Sequence, residues 1–324
     1  LTSTESPTVP LGSTGLRVTE LCIGTSALGD MPDTYGYDVT EERAHATVRA
    51  IFDSPINFLD TARSYGFGRS EERIGAVIRE RSGLPDGFVL STKADRDLDT
   101  NTFDASQVRR SVEQSMEALG LDHLQLVHLH DPEYCDLDEI TRPGGAIDTL
   151  FAIRDEGLID HVGLAAGNVE VMAQCLEQGD FEVLLTHNRY TVLNRNADRL
   201  IDLANSKGVA VLNASPYGSG ILARGTREYA RYAYQDASEE IVAMARQMED
   251  ICARYDIPLA AAALQFSMRD PRVVSTVVGV SRPERMQQNL DLAAVAIPDA
   301  IWPELEALSD WDDDPEATRD YKPG

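Results

Sequence analysis

The chain has 324 residues, 43% apolar and 26% charged, a globular composition with room for one large domain or two ordinary ones. Acidic residues outnumber basic ones 54 to 29, and so negative a surface disfavours nucleic acid and anionic membrane as partners. No apolar run approaches the ~20 residues of a membrane helix, and LTSTESPTVP at the start lacks the basic and apolar regions of a secretion signal.

Cys22, Cys135, Cys175 and Cys252 show no CxxC and no framework spacing, so reduced thiols in a cytoplasmic protein are expected. The basic residues are almost all arginine; lysine stands only at Lys93, Lys207 and Lys322. A lysine in a buried place would therefore call for an explanation.

In chain order, VPLGSTGLRVTEL predicts a small hairpin, and eight apolar runs predict strands. They are ELCIG (20–24), INFLD (56–60), FVLSTK (88–93), LQLVHLH (124–130), HVGLAAG (161–167), EVLLTHN (182–188), VAVLNAS (209–215) and VVSTVVG (273–279). Most are continuous rather than alternating, as in strands buried on both faces. Between them SEERIGAVIRE predicts a helix with Ser70 as N-cap, and SQVRRSVEQSMEALG one that stops at Gly120. GAIDTLFAIRDEG and NADRLIDLANSKG also end at glycine, and EEIVAMARQMEDICARYDI is the longest candidate. The gap between Ser215 and Val273 predicts a large loop, SGILARGTREYARYAYQDASEE, before the seventh helix. Strand–helix units of roughly 30 residues predict a (β/α)8 TIM barrel with an N-terminal hairpin, one domain over 1–324.

In such a barrel chemistry gathers at the C-terminal ends of the strands. There the second strand ends on Asp60 with Tyr65 in the loop beyond, the third on Lys93 and the fourth on His130. Singly, each reads as well as a turn, rim or salt-bridge residue; at three successive strand ends they read as a site. A lysine beside a tyrosine favours the phenolate, an aspartate would hold the lysine, and a histidine would orient a substrate oxygen. The set suits proton exchange with a carbonyl oxygen while hydride moves at carbon.

DTARSYG (60–66) resembles the DTAxxYG signature of the aldo-keto reductases, with Lys93 and His130 in register, and the likeness runs from PLGSTGLRV to PERMQQN. The resemblance implies Tyr65 as general acid/base, Lys93 lowering its pKa, Asp60 pairing with Lys93 and His130 orienting substrate. It also implies NAD(P)H lying across the barrel top without a Rossmann domain. GFGRSE carries only two glycines of a GxGxxG, so its glycines are expected to turn tightly behind Tyr65.

For the carboxamide of nicotinamide the resemblance implies Asn168 and either His187 or Asn188. Where many members carry a tyrosine that stacks on nicotinamide, this chain has Ala214. SPYGSGIL (215–222), with Ser215, Tyr217, Gly218, Ser219, Gly220 and Leu222, is expected to wrap the pyrophosphate. Gly279, Ser281, Arg282, Arg285, Gln288 and Asn289 are expected on the adenosine side. Two arginines suit a 2′-phosphate, which points to NADP and leaves NAD open.

RYTVLN (189–194), HDPE (130–133) and SGILA (219–223) resemble the branch that oxidises aldoses such as L-fucose at C1, or pyridoxal. The substrate expected is thus a small carbonyl compound or sugar, chosen by the loop of Met31 to Tyr37, Tyr134, residues 223–236 and the tail after Trp311. Three other readings stay open: a metal-dependent hydrolase using HLH (128–130), although no metal site is expected; a Schiff-base aldolase on Lys93; and a nicotinamide-binding regulatory subunit.

Overall fold

In the computed structural model, residues 6–309 and 313–319 are described; Leu1, Trp311 and Lys322 lie outside them. A hairpin of β1 (Thr8–Pro10) and β2 (Arg17–Thr19) leads into β3 (Leu21–Gly24), β4 (Phe58–Asp60), β5 (Val89–Ala94) and β6 (Leu124–His130). The series continues with β7 (Ile159–Ala166), β8 (Val183–His187) and β9 (Ala210–Ala214). A second hairpin, β10 (Arg231–Tyr232) and β11 (Gln235–Asp236), precedes β12 (Val273–Gly279). Strands β3 to β9 and β12 close into an eight-stranded parallel barrel, β12 pairing with both β3 and β9. The (β/α)8 TIM barrel and its N-terminal hairpin are as the sequence predicts.

The eight runs became strands because each buries both faces. Inward residues such as Cys22, Phe58, Val89, Leu126 and Leu212 fill the barrel, and outward ones such as Ile23, Leu59, Leu90 and Val127 meet the helices. At about 25 cal/mol per Å² of apolar surface, each such side chain contributes roughly 1.5–3 kcal/mol. Leu11 and Val18 of the first hairpin join the inner cluster, and Gly12 lies so close to Ala210 that a Cβ on it would touch the Ala210 Cβ at 3.0 Å. The hairpin thus stops the N-terminal end of the barrel and leaves the chemistry to the other.

Helix Ala105–Leu119 ends at Gly120 in the left-handed region, as its sequence requires, with Asp104 as its N-cap. Ser70 does not cap its helix. That helix spans Arg69–Glu80 with Gly68 as N-cap, and the buried Ser70 hydroxyl bonds the Thr25 carbonyl at 3.0 Å instead. Its hydroxyl tethers two loops of the site, a tertiary demand that outweighs local capping. Between β9 and β12 lie the long loop, helix Glu239–Arg254 capped by Ser238, and a further helix Leu259–Met268.

Candidate active site

Asp60, Lys93 and His130 stand at or next to the ends of β4, β5 and β6, and Tyr65 enters from the loop after β4. Lys93 is 1% exposed, and its ammonium donates to Asp60 Oδ2 at 2.5 Å, to the Thr61 carbonyl at 2.6 Å and to the Tyr65 hydroxyl at 3.1 Å. The Ser91 hydroxyl holds the other Asp60 oxygen at 2.9 Å. The His130 ring meets the Tyr65 ring edge-on, centroids 5.9 Å apart. All four predicted side chains converge on one cavity of about 800 Å³.

The glycines after Tyr65 do what a tight turn asks. Gly66 and Gly68 have φ of 61° and 96°, and a Cβ on Gly66 would sit 1.9 Å from the Gly29 carbonyl oxygen. Two backbones therefore pass in contact behind Tyr65. The fully buried Glu71, accepting from Thr92 Oγ1 at 2.6 Å and Arg63 Nη1 at 3.0 Å, locks the same loop from beneath.

The expected lowering of the Tyr65 pKa is not found. Burial, and after it the charge of Asp60, pushes the hydroxyl well above its usual range. Lys93 spends its charge on Asp60, at 2.5 Å against 3.1 Å for the phenol oxygen, so the phenol stays protonated. For His130, burial works against the charged form, but Asp131 and Asp95 outweigh it and raise the pKa. Three ammonium hydrogen bonds and near-total burial also make Lys93 a poor nucleophile for a Schiff base.

The expected cofactor residues divide. His187, Ser215, Tyr217, Ser219, Gly220, Gly279, Ser281, Arg282, Arg285 and Asn289 line the cavity. Asn168 does not; its Oδ1 accepts from the amides of Glu170 and Val171 as the N-cap of helix Val169–Cys175. Asn188 is fully buried, binding Glu316 Oε1 through Nδ2 and accepting from Ser219 through Oδ1. Leu222 is core, Gly218 backs onto the Tyr232 ring, and Gln288 braces Arg285 from the exposed face.

A dinucleotide fits the remaining wall. Neither Arg282 nor Arg285 pairs with a carboxylate among the described residues, although the chain carries a charge of −25. Burial and the neighbouring Arg282 lower the Arg285 pKa, so the pair awaits an anion. Space above Gly279 is open, and Tyr217 anchors Asn289 through a 2.8 Å hydrogen bond. Among the described residues no three His, Cys, Asp or Glu side chains are grouped to hold a metal ion.

Several residues in or beside the cavity were not singled out from sequence. Asp95 follows Lys93 at i+2, and the strand period puts it on the same side. Tyr35, in a loop named only for substrate choice, binds Ser26 Oγ at 2.5 Å. Tyr234 lies at the tip of the β10–β11 hairpin, where Ala233 and Tyr234 both take left-handed φ of 47° and 65°. Its hydroxyl reaches Ser215 Oγ at 3.1 Å, its ring crosses Tyr35 edge-on, and the Arg319 guanidinium covers it at 4.5 Å. From the tail, Glu316 meets His187 Nε2 and Arg189 Nη1, each at 3.1 Å, and Arg319 lines the cavity.

The aldo/keto reductase family model matches residues 20–310. The chain is 33% identical to pyridoxal 4-dehydrogenase of Microbacterium luteolum, over 92% of this chain and 96% of that one. It is 31% identical to D-threo-aldose 1-dehydrogenase of a Pseudomonas species, over 90% and 94%. Among solved structures, a Bacillus halodurans aldo-keto reductase in its holo form superposes with a TM-score of 0.75 at 22% identity, covering 94% and 96% of the two chains. With the tetrad, the barrel and this match along nearly its whole length, the chain belongs to the aldo/keto reductase family, and so to the NAD(P)-dependent oxidoreductases.

Proposed function

We propose that the chain oxidises a cyclic hemiacetal, that of an aldose at C1 or of a pyridoxal-like compound, and that the product leaves as the lactone. The observation that carries the reading is the Lys93 ammonium, bonded at once to Asp60 and to the Tyr65 hydroxyl at the floor of a cavity roomy enough for a dinucleotide and a small polyol. Two relatives of 31% and 33% identity, named for aldose and pyridoxal oxidation, support it.

A bound nicotinamide takes or gives the hydride. Tyr65 exchanges the proton at the substrate oxygen, receiving it in oxidation and supplying it in reduction. Lys93, fixed by Asp60, holds the phenol oxygen in place, and His130 directs a ring nitrogen to the same substrate oxygen. Arg282 and Arg285 bind the adenosine-side phosphate, which favours NADP. Since burial keeps Tyr65 protonated, carbonyl reduction is the second reading; the phenol is already in the form that direction needs.

A panel of aldoses, pyridoxal and simple aldehydes, followed by reduced-nicotinamide absorbance in both directions, tests the proposal. Lactone formed from an aldose, or oxidation of pyridoxal, is the expected result. Turnover confined to reduction of simple aldehydes would favour the second reading.

A further inference from the structure

Asp95 has no part in the tetrad, yet it is 2% exposed and anchored from four sides. Its amide donates to Ser111 Oγ at 2.8 Å and its carbonyl accepts from Gln107 Nε2 at 2.8 Å, both from helix Ala105–Leu119. Of its carboxylate oxygens, Oδ2 accepts the Ser64 amide at 2.8 Å and Oδ1 lies 2.6 Å from His130 Nδ1. A buried carboxylate is tolerated when it is paired and its lone pairs are used. Here the contact partner that can carry opposite charge is the imidazole. On the ring's other side Asp131, held in the left-handed region at φ 48°, places Oδ1 3.6 Å from Nε2.

Resting on the reading above, we propose that Asp95 is a positioning residue for the reaction. Its carboxylate fixes the His130 ring with Nδ1–H toward itself and keeps the imidazole doubly protonated, so that Nε2–H faces the substrate oxygen. His130 then carries a charge in addition to the orienting role expected of it.

The groups facing it are Asp95 and Lys93 from the end of β5, Asp131 and His128 from β6 and its end, and Tyr65 from the loop after β4. Lys93 opposes the charge but is itself paired with Asp60. The fully buried His128 has its pKa driven well down, by burial first, so it adds no competing cation. The two carboxylates prevail and set His130 above 6.5.

Imidazole NMR of the full chain tests this without turnover, the His130 signal being identified by its loss in His130→Gln. Wild-type His130 is expected to titrate above 6.5, and in Asp95→Asn its midpoint drops by at least ~1 unit. In the same variant kcat for carbonyl reduction falls at least about 10-fold. The alkaline fall of its pH profile moves to lower pH by a matching amount, while nicotinamide binding stays within about threefold. A purely structural role would lower activity at every pH and leave that limb in place. Wild-type titration at or below 6.5, or an unmoved limb, overturns the proposal. A normal titration in a protein that turns over no carbonyl or hemiacetal substrate would leave the Asp95–His130 coupling standing and sink the proposed function instead.

Discussion

Tyr65→Phe removes one oxygen from a ring that packs edge-on to His130 and leaves the Lys93–Asp60 pair intact. Turnover should fall by about 10²–10⁴-fold in both directions, while nicotinamide affinity by fluorescence titration stays within a few-fold. A variant keeping more than about a tenth of wild-type turnover, with the chemical step rate-limiting, would remove Tyr65 from the mechanism. The raised Tyr65 pKa also has a sign: oxidation needs the phenolate, so its rate climbs with pH as long as His130 stays protonated. At this scale the sequence was informative wherever a side chain sits at a strand end, because β-strand periodicity fixes direction. It was silent on charge: that Asp60 takes most of the Lys93 ammonium, 2.5 against 3.1 Å, depends on tertiary distance.

Elements differ in how far they can be read. All eight barrel strands follow from apolar runs, since each must bury two faces, whereas the segment between β9 and Glu239 contributes Tyr234 through a turn with no glycine or asparagine to announce it. Asn168 carries a related ambiguity: the open amides of a helix start bind an asparagine side chain as readily as a cofactor amide would. The loop behind Tyr65 offers a direct test. Gly66→Ala meets the Gly29 backbone and a left-handed φ of 61°, for which a side chain pays about 1–3 kcal/mol in strain alone. Activity should drop more steeply than melting temperature, because the backbone that must yield carries Tyr65. Equal activity at a lowered melting temperature would show that the loop only supports the fold.

Across the whole molecule, residue 316 ties the last described segment to the end of β8. Burial opposes ionisation of Glu316, yet His187, Arg189 and Arg319 hold its carboxyl well below the usual range of 4.5. The stabilisation is therefore complete above that value and is lost as pH falls below it. Glu316→Gln should cost roughly 1.5–3 kcal/mol at pH 7, since Arg189 keeps Asp314 at 2.6 Å but loses the charge of Glu316 at 3.1 Å. Denaturant midpoints of the two proteins should draw together toward pH 3; a constant gap would mean that the loss is one of packing. Elsewhere on the cavity wall, replacing Arg282 and Arg285 by alanine should weaken NADP(H) far more than NAD(H), each charge-assisted contact being worth roughly 1.5–3 kcal/mol. Equal weakening would assign the pair to adenine.

Leu11 and Val18 stopper the barrel from below, making the reaction chamber a cul-de-sac whose walls are a closed sheet. Two reactants that share one doorway have to queue: whichever lies deeper enters first and leaves last. Product-inhibition patterns should accordingly report an ordered sequence, with one product competitive against one reactant only. A random pattern would mean that the doorway admits both abreast, through the loop of Tyr35 or the tail at Glu316 swinging aside.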